Sequence, residues 1–174
     1  MGPIGVFPGT FNPVTVGHLA IADAAHASLG LDRLDLVLSE SPLVKDGRDD
    51  LAPLTERVAE LERALGDRAW ARVRITTDQL IADIASGYDV VVLGADKWAQ
   101  VNDPAFYNAD PTARDAAVAS LPRCVVAPRH GHFVPDDLRL EVPEWVGEVS
   151  STAVRGGRND WHGAGDDDQR ATNQ

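Results

Sequence analysis

The run YDVVVLG at positions 88–94 is apolar on both of its faces. A half-solvated antiparallel strand alternates, whereas a continuous Val/Leu run suits a parallel strand covered by helices on both sides. Its neighbours along the chain follow the same logic. PIGVF, RLDLVLS, ARVRITT and RCVVAP read as further strands, with RLDLVLS showing alternation. Between them, GHLAIADAAHASLG is a helix stopped by Gly30. PLTERVAELERALG is an amphipathic helix with Pro53 in its first turn and Leu54, Val58, Leu61 and Leu65 on one stripe. DQLIADIASG is expected as a helix capped by Asp78 and stopped by Gly87, and DPTARDAAVASL as another. Strands alternating with helices imply right-handed crossovers, and hence an α/β, doubly wound parallel sheet.

At 174 residues the chain fits one domain with a tail. From Gly156 onward it is Gly- and Asp-rich with little apolar periodicity. The domain is therefore expected over 1–157 and a disordered tail over 158–174. The single Cys124 cannot form an internal disulfide, and its apolar surroundings suggest a buried thiol. No signal-like segment or membrane-length apolar run stands out, so a cytoplasmic protein is expected. A net charge of −11 argues against nucleic-acid or anionic-membrane partners. A local cationic pocket for a small anion remains compatible with that charge.

The segment GVFPGTFNPVTVGHLAIADAA places Gly9, Thr10, Asn12, Thr15, Gly17 and His18 between the first strand and the first helix. Ligands of open α/β sheets bind beyond the carboxyl ends of strands. Helix N-terminal amides, the Thr hydroxyls and His18 would all be donors to phosphate there. The same residues are also ordinary turn formers: Thr15 suits a helix N-cap and Asn12 an Asx-turn. The glycine spacing fits neither a Walker loop nor a dinucleotide fingerprint.

PGTFNPVTVGH resembles the signature of the nucleotidylyltransferase superfamily, roughly G-[ST]-F-[DN]-P-x-[HT]-x-G-H. Three further segments are similar to that superfamily in the same order. SESPLVKDGRDDLAPLTERVAEL resembles the substrate loop of nicotinamide and nicotinate mononucleotide adenylyltransferases, with Lys45 as the basic residue and Arg57 on the helix. VVVLGADKW matches their strand ending in Gly-Ala-Asp, and VSSTAVRGG their Ser-Ser-Thr-x-x-Arg segment. Phosphopantetheine adenylyltransferase shares the opening motif, Thr15 included, but differs at Gly94-Ala95-Asp96. Thr15 stands where bacterial pyridine-nucleotide enzymes have a first His, and Asn12 where Asp is commoner.

The resemblance implies a Rossmann-like nucleotidylyltransferase fold and transfer of AMP from ATP to the phosphate of a mononucleotide, nicotinate or nicotinamide mononucleotide being favoured. Alternatives are phosphopantetheine, another phosphorylated acceptor, or a non-catalytic nucleotide-binding regulator. It implies His18, Thr10, Lys45 and Arg155 as catalytic residues. ATP would contact Gly9, Thr10, Phe11, Thr15, Gly17, His18, Gly94, Asp96, Arg129, Ser150, Ser151, Thr152 and Arg155. Lys45, Trp98 and Tyr107 are expected at the acceptor. Mg²⁺ would arrive with ATP, with no protein residues assigned to it. The partners implied are ATP and a small phosphorylated acceptor, with a homo-oligomer left open.

Overall fold

The computed structural model describes residues 1–43 and 50–163. Five strands form one all-parallel sheet: β1 (Ile4–Pro8), β2 (Arg33–Ser39), β3 (Ala71–Thr76), β4 (Val90–Gly94) and β5 (Arg123–Ala127), in the order β3-β2-β1-β4-β5. The helices are α1 (Val16–Leu29), α2 (Leu54–Leu65), α3 (Ile81–Ile84), α4 (Ala95–Val101), α5 (Pro111–Ser120) and α6 (Ser151–Arg155), with four short 3₁₀ turns. This is the doubly wound arrangement that the strand–helix alternation implies.

Side chains divide by the two-residue period of a strand. Phe7, Leu34, Leu36, Leu38, Val90, Val92 and Val125 join Ile21, Ala22, Leu61 and Leu65 of α1 and α2 on one face. Val6, Val37, Val91, Leu93 and Val126 join Ile81, Ile84, Ala95 and Val101 on the other. RLDLVLS is buried along almost its whole length rather than on one face, because β2 lies inside the sheet between β1 and β3. Asp35 is completely buried there. Its carboxylate accepts from Arg33 Nε at 2.9 Å and from the Tyr88 hydroxyl at 2.8 Å. These partners offset the cost of burying the charge.

Three local expectations are corrected. The helix after β3 is a single turn, capped by Leu80, because only Ile81, Ile84 and Ala85 find apolar cover there. Asp78 does not cap it; its carboxylate accepts from the Thr76 hydroxyl at 3.0 Å. Pro53 occupies the N-cap of α2, with ψ at 142°, rather than a helical first-turn position.

The chain does not leave the fold at residue 157. Residues Asn159–Trp161 make a 3₁₀ turn, and Arg158 lies over the Trp161 ring at 3.8 Å. His162 bridges to Thr15, and Gly163 N–H donates to Val14 O at 3.0 Å. The segment 158–163 is thus docked on the first loop, where low apolar content had pointed to disorder. Positions 164–174 lie outside the described residues. Among the described residues, no helix is long and apolar enough to cross a membrane.

Candidate active site

A cleft of about 220 Å³ opens beyond the carboxyl ends of β1 and β4. The strand order reverses between these two strands, the place where doubly wound sheets bind ligands. All thirteen residues expected at ATP line this cleft. The β1–α1 loop and the start of α1 supply Gly9, Thr10, Phe11, Thr15, Gly17 and His18. Gly94 and Asp96 follow β4, Arg129 follows β5, and Ser150, Ser151, Thr152 and Arg155 come from the start and body of α6.

The start of α1 is a reciprocal capping box. His18 N–H donates to Thr15 Oγ1 at 3.2 Å, and Thr15 N–H donates to His18 Nδ1 at 3.0 Å. An Nδ1 that accepts a backbone N–H carries no proton itself. The neutral ring is therefore the Nε2–H tautomer, a donor at its outer nitrogen. Desolvation lowers the His18 pKa to about 4; Asp96 opposes this weakly and Arg129 adds to it. The ring packs edge-on against Phe11, with centroids 5.0 Å apart, and against Phe7 at 6.2 Å.

Phe11 reaches that position through a φ of 45°, rare for a bulky residue. Its ring then lies directly over Gly9, where an added Cβ would stand 2.8 Å from ring carbons. Gly17 faces Val149, 3.1 Å from a hypothetical Cβ. A side chain at Gly9 would thus displace the Phe11 ring, and one at Gly17 would crowd Val149.

Side chains, the buried Arg57 and Asn12 among them, brace the loop. Arg57, 2% exposed, donates to Thr10 O at 2.8 Å and Ala52 O at 3.0 Å. The Asn12 amide donates to Asp50 O and accepts from Ala52 N–H. Ser151 Oγ donates to Pro13 O at 2.7 Å, and Ser150 Oγ caps α6 through Ala153 N–H. Arg155 donates to Asn12 O and pairs with Asp50 at 3.0 Å. Arg129 pairs with Asp96 at 3.3 Å.

Lys97, passed over in the sequence, also lines the cleft. It directly follows the Gly-Ala-Asp at the end of β4, and that position at a strand's carboxyl end was the available signal. Lys97, Arg129 and Arg155 make the lining cationic against the carboxylate of Asp96, on a chain of net charge −11.

The two aromatic residues expected at the acceptor are not brought to the cleft. Trp98 packs against the apolar cluster of α3 and α4. Tyr107 is buried, its hydroxyl donating to Val101 O at 3.0 Å. Lys45 and Arg48 lie outside the described residues. Among the described residues no group of three His, Cys, Asp or Glu side chains could hold a metal ion. Asp96, itself paired with Arg129, is the carboxylate lining the cleft.

Comparison with known proteins bears on this site. The sequence family described as cytidylyltransferase-like matches residues 6–157, from β1 through α6. A probable nicotinate-nucleotide adenylyltransferase of Rhizobium leguminosarum bv. trifolii (strain WSM2304) is 42% identical over 73 residues, covering 42% of this chain and 36% of that protein. A protein of the same description from Roseiflexus sp. (strain RS-1) is 30% identical over 142 residues, covering 74% of this chain and 66% of its own length. A third, from Brucella abortus (strain 2308), is 36% identical over 107 residues, covering 55% of each. The match thus spans about a third of the length of the Rhizobium relative. The family match takes in nearly the whole described fold and the four segments that build the cleft: the chain belongs to the cytidylyltransferase-like family.

Proposed function

We propose that this protein is an adenylyltransferase that moves AMP from ATP to the phosphate of a mononucleotide, nicotinate mononucleotide being the favoured acceptor, and releases pyrophosphate. The observation that carries this reading is the bond from Thr15 N–H to His18 Nδ1, which leaves Nε2 as the donor. A neutral imidazole, anchored at Nδ1 and donating at Nε2, lines a cleft together with Thr10, Lys97, Arg129 and Arg155. Such a set offers hydrogen-bond donors and cations for phosphate, and no activated nucleophile. The relatives' descriptions point to the same chemistry.

In the reaction, an oxygen of the acceptor phosphate attacks the α-phosphorus of ATP in line. The bond between that phosphorus and the oxygen bridging to the β-phosphate breaks, and pyrophosphate departs with the electron pair. No proton need be removed from the ionised acceptor phosphate, so the site requires positioning and charge stabilisation rather than a general base. His18 Nε2–H would donate to a non-bridging α-oxygen as its charge grows, and Thr10 would hold the adjoining phosphate. Arg155 would grip the β- and γ-phosphates, exchanging its contact with Asp50 for them. Arg129 would lie at the nucleotide beside Asp96, which is placed to contact the ribose. Mg²⁺ would screen the triphosphate charge and, given the donor set, would be held mainly by phosphate oxygens and water.

The test is pyrophosphate release from ATP with nicotinate mononucleotide, nicotinamide mononucleotide, 4′-phosphopantetheine and sugar or polyol phosphates offered separately. Turnover with nicotinate mononucleotide and formation of the dinucleotide are expected. ATP binding without product from any acceptor would overturn the reading in favour of a nucleotide-binding regulator.

A further inference from the structure

The peptide unit between Val14 and Thr15 is held at both of its ends. Its N–H, carried by Thr15, donates to Nδ1 of His18 at 3.0 Å. Its carbonyl, carried by Val14, accepts from the N–H of Gly163 at 3.0 Å. A trans peptide unit is planar, so its N–H and C=O point in opposite directions and turn together. The bond at one end therefore fixes the direction of the bond at the other. Two hydrogen bonds in series through one amide also polarise each other in a dry setting. The setting here is dry: Val14 is fully buried and Thr15 is 2% exposed.

Gly163 approaches this unit closely. An added Cβ there would stand 3.1 Å from both the carbonyl carbon and the oxygen of Thr15, and 3.2 Å from Val14 Cγ2. Two of these three neighbours are backbone atoms, which cannot swing aside as the end of a side chain does. The same Thr15 oxygen accepts from Leu19 N–H at 3.3 Å in the first turn of α1. His162 steadies the approach. It forms an antiparallel bridge with Thr15, and its Nε2 lies 3.9 Å from Glu60 Oε2 on α2. The same helix carries Arg57, which holds Thr10 O. The first loop is thus pinned at its start by Arg57 and at its end by residues 162–163. The family match stops at residue 157, so Gly163 lies beyond the segments that resemble the superfamily.

We propose that Gly163 is a positioning residue for the reaction: by donating to Val14 O and seating against Thr15, it sets the peptide unit that aims the His18 imidazole. Gly163 is not part of the cleft lining and acts through Thr15. The kinetic consequence rests on the adenylyl-transfer reading above, whereas the orientation of the ring does not.

The experiment compares wild type, Gly163→Ala and Gly163→Val. Circular dichroism and thermal unfolding establish that each is folded. Nitrogen-15 NMR of the histidine rings, at neutral pH and without ligand, reports which nitrogen of His18 carries the proton; the His18 signals are assigned by their loss in His18→Gln. Wild type should show the Nε2–H form alone. Gly163→Val should show a mixture of the two neutral forms, and Gly163→Ala a smaller change in the same direction. With ATP and nicotinate mononucleotide, kcat of Gly163→Val should fall about tenfold or more, because a slightly misplaced donor loses much of its effect. The KM for ATP should stay within about threefold, since the lost contact belongs to the transition state. Wild-type kcat in a folded Gly163→Val, or a loss of kcat with an unchanged His18 spectrum, overturns the assignment. Amide hydrogen exchange of wild type tests it without any variant: Gly163 and Thr15 N–H should both exchange slowly, and rapid exchange at Gly163 overturns it. A wild type that releases no pyrophosphate sinks the adenylyl-transfer reading, and the His18 spectra then decide by themselves whether Gly163 aims the ring.

Discussion

The backbone N–H of Thr15 donates to Nδ1 of His18 at 3.0 Å, and this bond decides what the imidazole can do. It leaves the neutral ring with its proton on Nε2. Thr15 makes this bond with its backbone and caps the helix with its hydroxyl. The Thr that replaces a first His in the motif is therefore a working N-cap, its hydroxyl accepting from His18 N–H.

His18→Ala should lower kcat by about 10²-fold or more, the usual cost of losing one transition-state donor. Stopped assays of pyrophosphate release at saturating ATP and acceptor check this. An unaltered kcat would remove His18 from the chemistry.

The lowered pKa of His18 also gives stability a pH dependence. The folded ring titrates near pH 4 and the unfolded one near its ordinary 6.5. The neutral folded form therefore contributes nothing extra above pH 6.5. Between pH 6.5 and 4 the unfolded chain binds the proton first, so stability falls as pH falls, by up to about 3 kcal/mol from this group. Urea titrations of wild type and His18→Gln across this window should show a shallower acid loss in the variant. Parallel curves would contradict the desolvated neutral ring.

Arg57→Met should destabilise the protein by about 3 kcal/mol, because the Thr10 and Ala52 carbonyls lose a buried charged donor. The variant should also show a raised KM for ATP, since the Thr10 backbone is released. Equilibrium unfolding and steady-state kinetics separate the two effects.

Gly9→Ala introduces a Cβ 2.8 Å from the Phe11 ring, which is 1% exposed and packs on His18. Overpacking of this kind costs about 1–3 kcal/mol. The displaced ring would also misplace the imidazole, so kcat should fall further than the KM for ATP rises. A loss of stability with normal kcat would show that Phe11 does not orient His18.

Ending the chain at Gly157 removes the His162 bridge to Thr15 and the Gly163 bond to Val14 O. At about 1 kcal/mol for each net hydrogen bond, stability should fall by about 1–2 kcal/mol. Turnover should fall with it, because Thr15 holds His18. A truncated protein with full stability and activity would show that residues 158–163 are dispensable to the site.

The parallel sheet and the place of the cleft were legible in local pattern. The run YDVVVLG needs cover on both faces, and the Gly, Thr and His residues of the first loop follow a strand directly, at its carboxyl end. Residues near one another in sequence carry that information through period and capping. Other features depend on partners distant in the chain. Arg57 reads as one more charge on an amphipathic helix until Thr10, 47 positions away, presents its carbonyl. Trp98 reads as an acceptor contact until it packs against the apolar cluster on the other face of the sheet. Gly9 reads as an ordinary turn residue until Phe11, with φ at 45°, lays its ring against it. Residues 158–163 read as a tail because the bonds that dock them on the first loop reach Val14 and Thr15, far earlier in the chain. The sequence by itself determined the architecture, through local periodicity, and much of the cleft's lining, through its motifs, though not Lys97. Only the tertiary structure decided which donors line the cleft and which are spent inside the protein, because a hydrogen bond is settled by the partner that packing brings within reach.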